Sequence, residues 1–176
     1  RLNEAVGAVA RTDLLGIAGH SRGGKVAWLV MTADPSRALA VAGIDPVDGG
    51  GGPRGNQPRV TQNPFEFSLP ALIIGAELGG SCAPSGNNYV QFFEASQSPA
   101  WEVLALGHGH GDMLDESAAK AAAVFGESGS NRPGMRRLTA GLLVALFRGA
   151  LQGDDSAYDY LSNEQGAPIP ITTQSK

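Results

Sequence analysis

Five residues, Gly19-His20-Ser21-Arg22-Gly23, follow directly on the apolar run Leu14-Leu15-Gly16-Ile17-Ala18. The order is G-x-S-x-G, placed where a strand-like run ends and a helix-like one begins. Val26, Leu29 and Val30 then recur at helical spacing. In that context the pattern specifies a tight strand-to-helix turn that raises a serine hydroxyl above the edge of a sheet. The turn strains the serine backbone, and side chains at the flanking glycines are expected to collide with strand and helix. A serine so held is set up to attack an ester or amide carbonyl.

The rest of the chain alternates in the same way. Leu39 to Ile44, Ala71 to Gly75 and Trp101 to Leu106 are short apolar runs of the kind buried on both faces of a parallel sheet. The helix after the serine stops at Asp34-Pro35. Tyr89 to Ala95 reads as a short helix, and another begins near Ser117. Met135, Leu138, Leu142, Leu146 and Ala150 mark a strongly amphipathic one, opened by Arg132-Pro133-Gly134. Residues 1–10 read as the end of a helix. Val47 to Pro64 and Gly79 to Asn88 lack periodicity, and loops of that length are usually functional. From Gly153 the chain is polar. It is expected to be a loosely held tail, 153–176, after a catalytic body of 1–152.

With 42% hydrophobic and 17% charged residues the chain can bury a core. A net charge of −4 argues against a nucleic-acid or anionic-membrane partner. Cys82 is the only cysteine, so neither an intramolecular disulfide nor a cysteine metal site is encoded. No apolar run is long enough for a transmembrane helix, which leaves peripheral membrane contact open.

A serine hydroxyl needs a base in contact, and the base needs an acceptor on its far nitrogen. His110 follows the last strand-like run and is the expected base, with His108 as competitor. Three residues compete for the acid: Asp45 at the end of the run after the elbow helix, Glu77 after the next run, and Asp48 in the long loop. His20 is expected to line the pocket. The backbone N–H of Arg22 is the expected oxyanion donor. His108, His110 and Asp112 alternate like metal ligands, but no fourth ligand is apparent, so no metal or other cofactor is expected. Asp112 and Asp115 are expected to cap the helix near Ser117. Phe65 and Phe93, with other aromatics of the two loops, are expected to line the mouth for an apolar substrate.

The order Ser21, Asp45, His110 is that of the α/β-hydrolase triad, so the expected fold is α/β: an α/β-hydrolase with a mostly parallel sheet and helices on both faces. That fold normally sets several strands before its elbow, and here only a short segment precedes it. The chain is therefore expected to be the C-terminal half of a larger domain.

Longer stretches resemble the chlorophyllase family. Gly19-His20-Ser21-Arg22-Gly23-Gly24-Lys25 resembles its lipase motif, and Gly43-Ile44-Asp45-Pro46-Val47 a second conserved segment. Cys82-Ala83-Pro84, Gly86, Asn88 and Phe92-Phe93 resemble a third, and Gly109-His110-Gly111-Asp112-Met113-Leu114-Asp115 a fourth. The chain departs from the pattern at Asn87, Tyr89 and Gly111, and in the glycine run Gly49 to Gly52. The resemblance implies an ester hydrolase that cleaves the phytyl ester of chlorophyll, with Ser21 as nucleophile, Asp45 as acid and His110 as base. It also implies a chloroplast location and an apolar, pigment-like ester as partner. Two other readings fit the same residues. One is a broader carboxylesterase, lipase or acetylhydrolase; the other is a hydrolase-like binding module without catalysis.

Overall fold

The computed structural model describes residues 4, 7–49, 58–122 and 128–176. Five strands form one sheet: β1 (Gly16–His20), β2 (Ala40–Ile44), β3 (Ala71–Leu78), β4 (Ala100–Gly109) and β5 (Ile171–Ser175). The α-helices whose bounds lie among the described residues are α1 (Arg22–Ala33), α2 (Tyr89–Ala95), α3 (Glu116–Ala122) and α4 (Arg132–Gln152). Strand order follows chain order, with β1 to β4 parallel and β5 antiparallel to β4. The helical end expected within residues 1–10 falls mostly outside the described residues.

The apolar runs explain the sheet. β2 up to the half-buried Ile44 and most of β3 are buried, as strands covered on both faces must be. Alternate side chains feed two cores. Ala42, Leu72, Ile74, Val103 and Ala105 meet Leu138, Leu142 and Leu146 of α4. On the other face Val41, Ala71 and Ile73 meet Trp28 and Met31 of α1 and Phe92 of α2. Truncating a fully buried leucine such as Leu146 to alanine should cost about 2–5 kcal/mol.

Helix ends follow local chemistry. Asn88 and Gln91 form a reciprocal capping box at the start of α2. Asn131 accepts the Gly134 N–H at 3.0 Å, Pro133 occupies the first turn of α4, and Gly153 ends that helix at φ 69°.

The segment after Gly153 is a docked element, not the loose tail that its polarity implied. Residues Asp155–Ser162 form a 3-10 helix that buries Ala157 and Leu161. Tyr158 stacks on Trp101 with ring centroids 4.9 Å apart. β5 then pairs with β4 from Ile171 to Ser175. As an edge strand β5 is held by its ladder to β4, with Ile169 and Ile171 buried and Thr172, Gln174 and Ser175 exposed. At the opposite end of the sheet β1 is the edge. Gly16 and Ala18 are exposed there, and Val26 and Leu29 of the adjoining α1 are 56% and 46% exposed.

The register lines up the strand ends that carry the candidate residues. Gly19 pairs with Gly43, His20 with Ile44, and Ile44 with Ile74. Ser21 and Asp45 therefore leave adjacent strands at the same level, and β4 carries His110 to that edge.

Candidate active site

Ser21 is the N-cap of α1 with φ 56° and ψ −124°, a strained geometry for a residue with a Cβ. Its backbone is pinned on both sides: its N–H donates to the Ile44 carbonyl at 2.9 Å, and its carbonyl accepts from Gly24 and Val47 at 3.0 and 3.1 Å. A Cβ on Gly19 would fall on the Gly23 carbonyl, and one on Gly24 would meet Pro46. One on Gly23 would meet nothing within 4 Å. The collision expected at Gly23 is thus absent, because the crowded helix-side position is Gly24.

Asp45 also takes a positive φ, 41°, as it leaves β2. Its N–H donates to the Ile74 carbonyl at 2.6 Å. Its fully buried carboxylate has two partners. Oδ1 accepts the Ala76 N–H at 3.1 Å, and Oδ2 lies 2.6 Å from His110 Nδ1. A carboxylate only accepts, so Nδ1 carries the proton and Nε2 of a neutral ring is left as acceptor.

His20 stands directly against this pair. Its Nε2 donates to the His110 carbonyl at 2.9 Å, and the two rings lie 4.5 Å apart. Burial pushes the His20 imidazole below its ordinary value and outweighs the opposing bond to the His110 carbonyl. His20, expected to line the substrate pocket, thus buttresses the His110 backbone and ties the turn that carries His110 to the elbow that carries Ser21. Arg22 opens α1 with an exposed side chain. Its N–H belongs to the first turn, where helix donors lack intrahelical partners and the dipole favours negative charge.

The competing residues have other employment. Glu77 accepts the Gly107 N–H at 2.6 Å. The buried His108 ring faces two carbonyls, Leu106 at 2.8 Å from Nδ1 and Asn131 at 3.2 Å from Nε2. Asp48 pairs with Lys25 at 3.1 Å. Among the described residues no group of three or more His, Cys, Asp or Glu is arranged to hold a metal.

Asp115 caps α3, accepting the N–H groups of Ser117 and Ala118 at 3.1 and 3.0 Å. Asp112 does not share that work. It accepts from Gly109 N–H at 2.8 Å, Gly129 N–H at 2.6 Å, Ser128 Oγ and Arg132 Nε. Burial works to raise this carboxyl, and these donors outweigh it and hold it below the ordinary range. Asp112 thereby fixes the turn that carries His110, a role the sequence reading did not find. The available signal was an acidic residue in a glycine-rich turn, two positions after the histidine.

Phe65 and Phe93, expected to line a substrate mouth, are both buried. Phe65 is 4% exposed and stacks on Phe67 at 5.4 Å, with Trp28 at 6.2 Å. Phe93 is 9% exposed, under the Lys176 ammonium. Both fill the core between α1, α2 and the sheet, since apolar area gains more there than on a solvent-facing loop. Gly49 takes φ 81°, and residues 50–57 of its loop lie outside the described residues. No helix among the described residues is long and apolar enough to cross a membrane.

Known proteins resemble this chain over most of its length. The chlorophyllase family profile matches residues 2–176. Chlorophyllase-2 of Arabidopsis thaliana is 34% identical over 179 residues, covering 90% of this chain and 56% of that protein. Chlorophyllase-1, chloroplastic, of Citrus unshiu is 33% identical over 92% of this chain and 53% of its own length. Chlorophyllase type 0 of Chenopodium album is 30% identical over 93% of this chain and 52% of its own length. The chain thus spans about half the length of the curated relatives it matches. A profile match over nearly every residue, laid on this mostly parallel sheet with helices on both faces, places the chain in the chlorophyllase family of α/β-hydrolases.

Proposed function

We propose that the chain carries the triad of a serine carboxylic-ester hydrolase that cleaves the phytyl ester of chlorophyll to chlorophyllide and phytol. One observation carries the reading: the buried 2.6 Å Asp45–His110 pair, tied through His20 to the turn that holds Ser21 at φ 56°. In the proposed reaction Ser21 Oγ attacks the ester carbonyl carbon while His110 Nε2 takes its proton. Asp45 steadies the imidazolium and does not itself become protonated. The negative oxygen that forms is met by the Arg22 N–H at the positive end of α1. The intermediate collapses with loss of phytol, whose oxygen receives the proton from His110. Water, deprotonated by the same nitrogen, then splits the acyl-enzyme and releases chlorophyllide. The chlorophyllase names of the relatives support the pigment ester as substrate, and the word chloroplastic in the Citrus names supports a chloroplast location.

The burial of Phe65 and Phe93 favours a second reading, a broader carboxylesterase, because it removes two apolar side chains from the expected groove for the phytyl chain. Pigment hydrolysis by the complete protein, followed by chromatography of chlorophyllide, separates the two. Chlorophyllide formation that falls on the order of 10⁴-fold or more in Ser21→Ala is the expected result. Turnover of short p-nitrophenyl esters without any chlorophyllide would favour the broader esterase. Near-wild-type turnover by Ser21→Ala would overturn the serine assignment.

A further inference from the structure

Lys25 and Asp48 form a buried ion pair that the triad does not use. Lys25 belongs to the first turn of α1, four residues after Ser21, and its backbone N–H reaches the Ser21 carbonyl at 3.4 Å. Its ammonium lies 3.1 Å from Asp48 Oδ1 and donates to the Pro58 carbonyl. Asp48 follows Asp45 by three residues and is 1% exposed. Its Oδ1 accepts the N–H groups of Gly49 and Val60 at 2.9 and 3.1 Å. Its Oδ2 accepts the Thr61 N–H at 2.9 Å and the Thr61 hydroxyl at 2.7 Å. Burial works to raise the Asp48 carboxyl, and the bonds from Thr61, Val60 and Lys25 outweigh it and hold it below the ordinary range.

This pair draws two separate stretches to one point. Gly49 arrives from the β2 side, and Pro58 to Thr61 arrive from the far end of the same connection. The Asp48 N–H also donates to the Asn87 carbonyl at 2.8 Å, and the Val47 N–H to Ser21. The site edge, the 58–61 stretch and the 79–88 loop are thereby fixed relative to the elbow. A buried ion pair is a poor means of gaining stability alone, because desolvating both charges offsets most of their attraction and an apolar pair of similar size would do as well. What charge and directed hydrogen bonds supply is a fixed position for backbone. In open sheets of this class ligands lie outside the carboxyl ends of the strands, the level at which Asp48 sits.

We propose that Lys25 and Asp48 are positioning residues that set residues 58–61 as a wall beside Ser21, and that this wall decides how well a large alcohol group of the ester is accepted. The proposal rests on the ester-hydrolase reading above. A small alcohol group does not reach the wall, so its hydrolysis does not depend on the clamp. A long branched one packs along it.

The test uses two esters of one acid, ethyl chlorophyllide and chlorophyll, with the complete protein. Lys25→Met/Asp48→Leu removes the clamp without leaving a buried charge unpaired. It should raise KM for chlorophyll and lower kcat/KM by about tenfold or more, with the ethyl ester nearly unchanged. Lys25→Arg keeps the cation and should keep most of the wild-type preference. Equal loss on both esters, or no loss on either, overturns the proposal and leaves the clamp a structural feature. If the double variant does not fold by thermal melt, Lys25→Met, which keeps the Asp48 bonds to Val60 and Thr61, replaces it. The same direction of change is then required, at a few-fold. Ser21→Ala run alongside keeps the two readings apart. If it hydrolyses both esters as wild type does, or if wild type hydrolyses neither, the ester-hydrolase reading has failed and the selectivity role falls with it.

Discussion

Asp45→Asn exchanges one carboxylate oxygen for an amide nitrogen at nearly constant volume, and the consequence can be worked through atom by atom. The two partners of Asp45 make opposite demands on the amide. Ala76 presents an N–H at 3.1 Å and needs an oxygen opposite it. His110 Nδ1 at 2.6 Å must then face the amide NH2. An amide donor there forces Nδ1 to become the acceptor and moves the ring proton to Nε2, the nitrogen that takes the proton of Ser21 in the proposed mechanism. The alternative flip sets NH2 against N–H inside a fully buried site and loses a backbone hydrogen bond. The first orientation leaves the base in the wrong tautomer; the second keeps the tautomer but, like the first, lacks the charge that steadies the imidazolium. Losing the correct tautomer costs about 10⁴-fold in kcat, and at about 1.36 kcal/mol per decade that is about 5.5 kcal/mol of transition-state stabilisation.

Folding should suffer far less. Asn adopts a positive φ at least as readily as Asp, so the 41° backbone is retained, and what is lost is one charge-assisted hydrogen bond of about 1.5–3 kcal/mol. Initial rates on a short p-nitrophenyl ester near pH 7, beside a thermal melt of the same sample, read both quantities. A kcat within tenfold of wild type would refute the reasoning, as would a full loss produced by Glu77→Gln and not by Asp45→Asn.

Glu102 gives a pH prediction of determined sign. Burial raises its carboxyl, the bond from Gln174 opposes that, and Glu94 adds to it. Its contribution to stability is then complete below the ordinary carboxylate pKa and is lost as pH rises through the raised value. Glu102→Gln keeps an acceptor for Gln174, now 2.7 Å from Oε1, so it should melt above wild type at neutral pH with the gap closing in acid; a gap that does not change with pH would contradict this. Phe65→Ala and Phe93→Ala should each cost about 3–5 kcal/mol of stability and leave the preference between short and long esters unchanged. A selective loss on long esters at unchanged melting temperature would restore them to the substrate mouth. Residues 1–176 expressed alone present the β1 edge with Val26 and Leu29 beside it, and should self-associate as concentration rises in sedimentation experiments. A monomer at every concentration would count against that.

The parts of the fold legible in the sequence are those where one residue type has one physical use. The elbow is of this kind, because Gly19 sits where a Cβ would strike the Gly23 carbonyl. So is the short helix Tyr89–Ala95, announced by its Asn88 cap and Gln91. Buried parallel strands are continuous apolar runs and read directly, within three residues at their ends. What did not read is what depends on a partner far along the chain. β5 is polar on its open face and holds by pairing with β4, which composition does not encode. Phe65 and Phe93 are equally apolar in a groove and in a core, and only packing against Trp28 and the sheet decides between them. Asp112 looked like a helix cap because its donors, Gly129 and Arg132, lie beyond the next helix. Spacing left Asp45, Glu77 and Asp48 in competition as the acid; the resemblance chose Asp45, and the fold gives each carboxylate a different donor set.

The central claim is that Ser21 is the nucleophile, and covalent capture tests it most directly. The complete protein is treated with a fluorophosphonate, digested with trypsin and examined by mass spectrometry. Cleavage after Arg11 and Arg22 isolates Ser21 on the peptide Thr12–Arg22, where it is the only serine. The account predicts one phosphonyl adduct on that peptide, formed in step with loss of esterase activity and absent from Ser21→Ala. Esterase activity that disappears with the adduct on another serine, or that persists with Ser21 fully labelled, would contradict it.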